Sequence, residues 1–359
     1  MNDQQDGVWT SEQVITCQDD TVGLRAVIAV DDTTLGPGFG GVRFKAYPST
    51  AAAVEEAQRL AAAMTLKHAL AELPYGGAKS VIIDDGLHRD GSDRQALVAR
   101  FGSFVARLGG LYIPGVDMGT TLADMTLIAQ QGAKVYCAEH DPAPWTARGT
   151  YVALQAGAAH VYGSHDSHDS QSSDGANAVA GLRVSVQGVG SVGAALARLL
   201  AAAGAHLIVS DVDSGRARQV AAEVGGEVVD PAQAPFVDCD VFAPCAVSRV
   251  ITTDGVERLR CRVVAGAAND PLDSPEVAEA LRRRGVTVVP DYVANAGGVI
   301  HEHARAMGWP EAQLEDAVDA IGPRVAEILR AADQAQEPPL VTAARRGRDR
   351  LRQSGSRGS

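Results

Sequence analysis

Residues 182–213 read LRVSVQGVGSVGAALARLLAAAGAHLIVSDVD, and their order decides the fold. A short β-branched run leads into Gly188, Gly190 and Gly193, which spell G-x-G-x-x-G; an alanine- and leucine-rich segment follows, then a second apolar run ending on Asp211. Strand, glycine turn, helix, strand and acid in that order predict a dinucleotide-binding βαβ unit. Each glycine has its own reason: the first for a tight turn, the second for close approach of a pyrophosphate, the third for helix–strand packing. Free amides and the positive end of the helix dipole would receive the phosphates. Three glycines alone can mark an ordinary turn; the flanking strand and the helix with Val192, Ala195, Leu196, Leu199 and Leu200 on one face give them meaning. Asp211 stands where a carboxylate accepts a ribose 2′-hydroxyl and repels a 2′-phosphate, which favours NAD over NADP. Arg216 and Arg218 lie nearby and read as solvated helix-face charges.

Downstream, DVFAPC at 240–245, RVVAGAAN at 262–269 and VTVVPDYVANAGG at 286–298 continue a strand–helix alternation, so a doubly wound parallel sheet is expected. Upstream, VGLRAVIAV at 22–30 reads as a strand and GPGFGGVRF at 36–44 as a turn entering another. Ser49 or Thr50 caps a helix carrying Val54, Ala57, Leu60, Ala61 and Met64, which Pro74 and two glycines stop. KSVII at 79–83 is a buried strand with Lys79 at its start, and LYIPGVD at 111–117 is a strand ending on Asp117. The fold class is therefore α/β: an N-terminal α/β domain over 1–145, a Rossmann domain over 146–325, and a helical segment over 326–359 that frays at its end.

Composition bounds the function. The 359 residues allow two domains with a shared cleft, and 46% hydrophobic with 21% charged residues is a globular balance. Lys plus Arg number 32 against 44 Asp plus Glu, a net charge of −12, which argues against nucleic acid and anionic membranes as partners. The N-terminal MNDQQDGVWT lacks a basic then apolar leader and no apolar run is of spanning length, so a cytoplasmic location is expected. Cys17, Cys137, Cys239, Cys245 and Cys261 are scattered without C-x-x-C, as reduced thiols would be, and no metal site is expected. The tract GSHDSHDSQSSDGANAVAG at 163–181 reads as a solvated loop rather than a metal tract.

Lys67 and Lys79 flank Pro74-Tyr75-Gly76-Gly77 within apolar sequence. Such a lysine either packs its stem and lets its ammonium reach water, or it lies in a cleft where two cations lower each other's pKa and free one as a base. Met64-Thr65-Leu66-Lys67 and Leu73-Pro74-Tyr75-Gly76-Gly77-Ala78-Lys79 resemble the substrate segment of the glutamate/leucine/phenylalanine/valine dehydrogenases. The resemblance runs from Gly40-Gly41-Val42-Arg43 through Asp117-Met118-Gly119-Thr120 and the glycine fingerprint to Asp240–Asn269 and Pro290–His301, and is nearest to the branched-chain and phenylalanine members.

It implies an NAD-dependent oxidative deamination of an apolar L-amino acid to a 2-oxo acid and ammonia. Lys67 would hold the substrate carboxylate, Lys79 would activate water, its pKa tuned by the first lysine, and Asp117 would assist proton transfer at the amino group. Gly40 and Gly41 would line the side-chain pocket, or form a tight turn; Val293 and Ala296 would add pocket wall, or only core packing. Asn269 would lie near nicotinamide and substrate, or be a strand-end turn residue, and Thr146 would lie near the nicotinamide carboxamide. Arg43 reads as a salt-bridge or interface residue. The resemblance further implies that the N-terminal α/β domain over 1–145 is the substrate domain, that the helical segment over 326–359 returns to it, that a cleft lies between the domains, and that the protein is a homo-oligomer.

Three departures stand out. Ala78 replaces a usual glycine and would be strained at positive φ. Cys-Ala-Glu-His-Asp-Pro-Ala-Pro-Trp precedes Thr146 in place of a glycine-rich stretch, with Arg148 replacing an apolar or aromatic residue. Asp270 adds negative charge after Asn269. They leave open a family member recruited to a specialised biosynthetic reaction and a catalytically idle NAD-binding sensor.

Overall fold

The computed structural model describes residues 10–87, 90–136, 140–163 and 177–355. Cys137, most of the His-Asp-rich tract, part of the altered stretch before Thr146 and the last four residues lie outside them. The chain forms two compact units, residues 1–141 with 346–359, and residues 142–345.

The first unit holds β1 (Gln13–Asp19), β2 (Leu24–Asp32), β3 (Gly38–Lys45), α1 (Thr50–Leu70), β4 (Gly76–Ile83), α2 (Gly91–Ala106), β5 (Tyr112–Val116) and α3 (Leu122–Gln130). Its mixed sheet has the order β1-β2-β4-β3-β5, with β3 parallel to both β4 and β5 and β2 antiparallel to β1 and β4. Strand alternation sends Ala78, Ser80 and Ile82 of β4 to one face and Gly77, Lys79 and Val81 to the other. The first face packs with Phe101, Tyr112, Met125 and Ile128 into the main core. On the second, Ala53, Ala57 and Ala61 of α1 pack against Val27, Ala29 and Val81. Those alanines let α1 lie low on the sheet: a Cβ on Gly77 would meet the Ala61 carbonyl oxygen at 2.2 Å.

Ser49 caps α1 by accepting from the Ala52 N–H, as its sequence suggests. The glycines at 38–41 and 76–77, read as turns, are strand residues, and Lys79 lies mid-strand rather than at the strand's start. None of them has positive φ; they are glycine because neighbouring backbone approaches closely.

The second unit holds α4 (Ala143–Tyr162), β6 (Arg183–Gln187), α5 (Ser191–Ala202), β7 (His206–Ser210), α6 (Ser214–Val224), β8 (Glu227–Val228), β9 (Val241–Pro244), β10 (Val263–Val264), α7 (Pro275–Arg283), β11 (Thr287–Val288), α8 (Asp291–Ala294), α9 (Gly297–Met307), α10 (Glu311–Asp319) and α11 (Ile321–Ala335). Helix α12 (Pro339–Gly355) begins in this unit, and its residues from 346 onward belong to the first. The sheet is parallel throughout, in the order β11-β10-β9-β6-β7-β8. Counted within the unit, that is the 3-2-1-4-5-6 arrangement of dinucleotide-binding folds, whose order reverses between β6 and β9.

Two details differ from the sequence reading. The β8–β9 and β9–β10 connections carry 3-10 turns, Ala234–Phe236 and Thr253–Arg258, in place of α-helices. The buried stripe of α5 is Gly193, Ala194, Leu196, Ala197 and Leu200, because the small residues rather than Val192 and Leu199 meet the sheet. Among the described residues no helix is long and apolar enough to cross a membrane.

Candidate active site

In the first unit, three neighbouring strands and one helix bring four charged side chains together. Lys79 projects from the middle of β4, and its Nζ lies 2.8 Å from Asp117 Oδ2. Asp117 follows β5 in a turn built by Thr120, whose hydroxyl donates to the Val42 carbonyl and lies 3.0 Å from the Asp117 N–H, which donates to it. Gly119 makes that turn at φ +79°, where a Cβ would run into the Phe44 carbonyl oxygen at 2.0 Å. Arg43 of β3 donates from Nε to the same Asp117 Oδ2 at 2.9 Å, and its Nη1 meets Glu56 Oε1 of α1 at 2.5 Å. Lys79 and Arg43 are both buried. Both cations thus gather on one carboxylate oxygen, Oδ2.

The electrostatics follow from that geometry. Burial pushes the Lys79 pKa down, Asp117 pulls it up, Arg43 pushes it down, and the result lies below the ordinary lysine value. Burial alone would raise the Asp117 pKa, but Lys79 and Arg43 overcome it and hold the carboxyl well below the usual carboxylate range. A cation pressing on Lys79 is thus Arg43, a role the sequence reading gave to Lys67.

Glycine at 41 makes the pair possible. A Cβ there would stand 2.6 Å from Asp117 Cβ and 3.1 Å from Lys79 Nζ. At Gly40 it would stand 1.7 Å from the Ala78 carbonyl oxygen. Both are closely packed strand positions and not a tight turn. Ala78 is not strained: its φ is not positive, it pairs with Val30 across β2, and Gly38 leaves room for its methyl, which a Cβ at 38 would approach to 2.7 Å. Lys67 is buried in the last turn of α1, where a cation suits the negative end of the helix dipole. The chain leaves that turn through Glu72 at φ 61°, and His68 Nδ1 holds the returning Gly76 carbonyl at 2.8 Å.

In the second unit, Gly188 turns the chain at φ +90° after β6, where a Cβ would strike Ala246 Cβ at 2.4 Å. Gly193 lets α5 press on that turn; its Cβ would stand 1.9 Å from the Gly188 carbonyl oxygen. Gly190, the residue capping α5, has open space where a Cβ would be. Closed packing at the first and third glycines with open access at the second fits a pyrophosphate at the helix start. Asp211 closes the other side: its Oδ2 accepts from the Val189 N–H at 2.9 Å and its Oδ1 from the Asp213 N–H at 2.9 Å. Arg216 is not simply a solvated charge, because Nη1 pairs with Asp211 Oδ1 at 3.3 Å.

Elsewhere in this unit, Asn295 Nδ2 donates to Asn269 Oδ1 at 2.9 Å and to the Ala267 carbonyl at 3.1 Å, fixing Asn269 after β10. Val293 and Ala296, both buried, flank Asn295. Thr146 sits in the first turn of α4, its hydroxyl donating to the Pro142 carbonyl at 3.1 Å; a Cβ on Gly298 would meet that hydroxyl at 2.6 Å. Arg148 turns to α10 and pairs with Asp319 at 2.7 Å. Asp270 adopts φ 52°, which Asp tolerates, and its carboxylate lies 3.7 Å from Arg249 Nε, so its charge is partly offset.

Comparison with known proteins then fixes the relationship. The family described as Glu/Leu/Phe/Val dehydrogenase, dimerisation domain, matches residues 10–134, and Glutamate/Leucine/Phenylalanine/Valine dehydrogenase matches residues 209–346. The leucine dehydrogenase of Geobacillus stearothermophilus is 37% identical over 346 residues, covering 95% of this chain and 90% of that protein. The chain belongs to the glutamate/leucine/phenylalanine/valine dehydrogenase family. A valine dehydrogenase of Streptomyces coelicolor is 35% identical to this dehydrogenase over 350 residues, covering 95% of the chain and 92% of the relative. The crystal structure of L-tryptophan dehydrogenase from Nostoc punctiforme superposes with a TM-score of 0.79 at 32% identity, covering 97% of each chain.

The amino-acid dehydrogenase thus carries a lysine–carboxylate pair in one unit and a glycine-rich turn at a helix start in the other. Glu56 and Asn295 were missed by sequence reasoning. Glu56 reads as one of several helix-face acids, and nothing local marks it; Asn295 lies in the quoted VANAGG, where its step beyond Val293 was a usable signal.

Proposed function

We propose that this dehydrogenase oxidatively deaminates an apolar L-amino acid of the leucine, valine or phenylalanine type with NAD, reversibly, giving the 2-oxo acid and ammonia. The observation that carries the reading is the Lys79–Asp117 pair at 2.8 Å, with Lys79 held below the ordinary lysine pKa by burial. The chemistry supplied by bound NAD would be that of a hydride acceptor for the substrate Cα. Gly188, Gly190 and Gly193 would hold its pyrophosphate and Asp211 its adenosine ribose, with Thr146 and Asn269 toward the nicotinamide.

The chain's own residues manage position and protons. Lys67 binds the substrate carboxylate as a point charge. Lys79 takes a proton from the water that attacks the imino carbon, and so must be neutral when it acts. Asp117 serves the amino group as it gains and loses its proton. Toward the substrate side chain and carbonyl, the reading assigns Gly40 and Gly41 of the first unit and Val293, Ala296 and Asn269 of the second. A homo-oligomeric, cytoplasmic enzyme belongs to the same reading, which the family's named dimerisation domain supports. The unstrained backbone of Ala78 removes one motive for an altered chemistry.

The test follows NADH formation by the purified protein with NAD and a panel of L-amino acids, beside Lys79→Ala. Turnover with an apolar amino acid, lost in the variant, is expected. Undiminished turnover in Lys79→Ala, or none with any amino acid in the native protein, overturns the reading.

A further inference from the structure

We propose that Arg43, clamped by Glu56, is a positioning residue: it seats Asp117 and places a fixed cation beside Lys79, and so sets the pH window in which the site works. Neither residue need touch substrate, and the inference rests on the proposed role of Lys79.

The geometry carries the argument. A guanidinium has two usable edges. The Nη1 corner of Arg43 is held by Glu56 Oε1 at 2.5 Å and Nε by Asp117 Oδ2 at 2.9 Å, so the planar group cannot turn without breaking one of the two bonds. Arg43 is buried, and the Glu56 side chain is only 16% exposed, too sheltered to be an ordinary surface ion pair. Asp117 Oδ2 is thereby held by Arg43 and Lys79 together, which fixes the orientation of the carboxylate.

The charged and titratable groups around Lys79 come from every neighbouring element. Asp117 follows β5, Arg43 comes from β3, and Glu56 from α1. Behind them Lys45 lies 3.7 Å from Glu56, and Tyr112 and Tyr47 adjoin Asp117 and Glu56. Besides Glu56, α1 carries Glu55, Arg59, Lys67 and His68, and β2 sets Ala29 opposite Lys79, with Asp31 two residues further along accepting from the Thr65 hydroxyl at 2.6 Å. In this set Arg43 lowers the Lys79 pKa and Glu56 raises it.

Two neutral substitutions therefore act in opposite directions. Arg43→Gln removes a cation, so Lys79 holds its proton to higher pH, and the acid limb of kcat/KM for deamination moves up. Glu56→Gln removes an anion, and the limb moves down. On the rising limb, Arg43→Gln loses roughly tenfold in kcat/KM beyond any change that persists on the plateau. Arg43→Lys keeps the charge but not the two-edged grip; its limb stays near the native one while kcat falls. The double variant Arg43→Gln/Glu56→Gln removes one charge of each sign, and guards against misfolding of either single variant.

The experiment records kcat/KM against pH for the native protein and these four variants and, in parallel, labels each with acetic anhydride across pH, reading Lys79 acetylation by mass spectrometry against the exposed Lys134, which lies outside the cluster. Opposite displacements of the Lys79 labelling curve in Arg43→Gln and Glu56→Gln support the inference even if no amino acid is turned over, an outcome that would defeat the functional reading alone. Superimposable labelling curves, or displacements of the same sign, overturn it; so does a change in melting temperature with no movement of either curve, which is what a purely structural ion pair gives.

Discussion

Lys79 of β4 and Asp117, in the turn after β5, meet across β3 with Nζ and Oδ2 2.8 Å apart, and each carries a pKa below its ordinary value. Asp117→Asn leaves Lys79 and Arg43 as buried like charges, so stability should fall by about 3–5 kcal/mol. Turnover should fall roughly 10²–10⁴-fold as the proton-handling group is lost. The sign with pH is fixed. A carboxyl whose folded pKa lies below its unfolded value stabilises fully above the ordinary carboxylate range and loses that contribution as pH falls toward the folded pKa. The gap in melting temperature between native protein and variant should therefore be full at neutral pH and narrow in strong acid. A constant gap would contradict the pairing.

Gly40 and Gly41 are adjacent, yet alanine should act differently at the two. At Gly41 the new methyl meets Asp117 Cβ at 2.6 Å and Lys79 Nζ at 3.1 Å, side-chain atoms that can shift. Gly41→Ala should fold, lose about 1–3 kcal/mol and lose tenfold or more in kcat as the pair is pushed apart. At Gly40 the methyl meets the Ala78 carbonyl oxygen at 1.7 Å, in a backbone held by its strand. Gly40→Ala should yield little folded protein. Thermal melts and kcat for the two variants decide it.

These glycines also show where sequence reading stops. Glycine marks both positive φ and close approach of backbone, and the two look alike in one dimension. At 36–41 and 76–77 the sequence favours turns, but the strands run through Gly38–Gly41 and Gly76–Gly77 because α1 and the neighbouring strands press on them. The fingerprint at Gly188, Gly190 and Gly193 was legible because a local rule governs it, strand then turn then helix. The meeting of Arg43, Glu56, Lys79 and Asp117 was not, since it depends on the β4-β3-β5 order of the sheet. Strand β1 was missed for another reason: it is an edge strand with a single buried residue, Cys17, and carries little apolar pattern.

Ala78 gives a prediction opposite to the one its departure from a glycine pattern suggests. Its φ is not positive and its side chain fills space beside Gly38 and Val30. Ala78→Gly should bring no gain in turnover and should lower stability by about 0.5–1 kcal/mol through chain entropy, with a little more for the lost methyl. An increase in kcat would show that the methyl constrains Lys79.

Asp211 does two things at once: it meets the proposed ribose site and holds the fingerprint loop through the Val189 N–H at 2.9 Å. Asp211→Asn keeps an acceptor for that amide, removes the repulsion of a 2′-phosphate and releases Arg216, now 3.3 Å away, to meet one. The ratio of kcat/KM for NADP to that for NAD should rise at least tenfold, with little change in melting temperature. Asp211→Ala should also raise the ratio but cost about 1–3 kcal/mol for the amide left unpaired. Steady-state kinetics with both cofactors, beside thermal melts, separate the two effects; an unchanged ratio in both variants would remove Asp211 from cofactor choice.

Asn295 faces two acceptors, the Ala267 carbonyl and Asn269 Oδ1, with a single Nδ2 donor group. Its own Oδ1 is buried with no hydrogen-bond partner among the described residues, an arrangement kept although such an atom costs about 1–3 kcal/mol. If Asn269 meets substrate and nicotinamide, Asn295 earns that cost by orienting it. Asn295→Asp would set a carboxylate against two carbonyl oxygens and should turn Asn269 away, so kcat/KM should fall roughly a hundredfold while the apparent affinity for NADH in a fluorescence titration changes little. Asn295→Ser, shorter and still a donor, should keep one of the two bonds and lose less. Equal losses in both variants, or none in either, would show that Asn269 does not depend on Asn295 for its orientation.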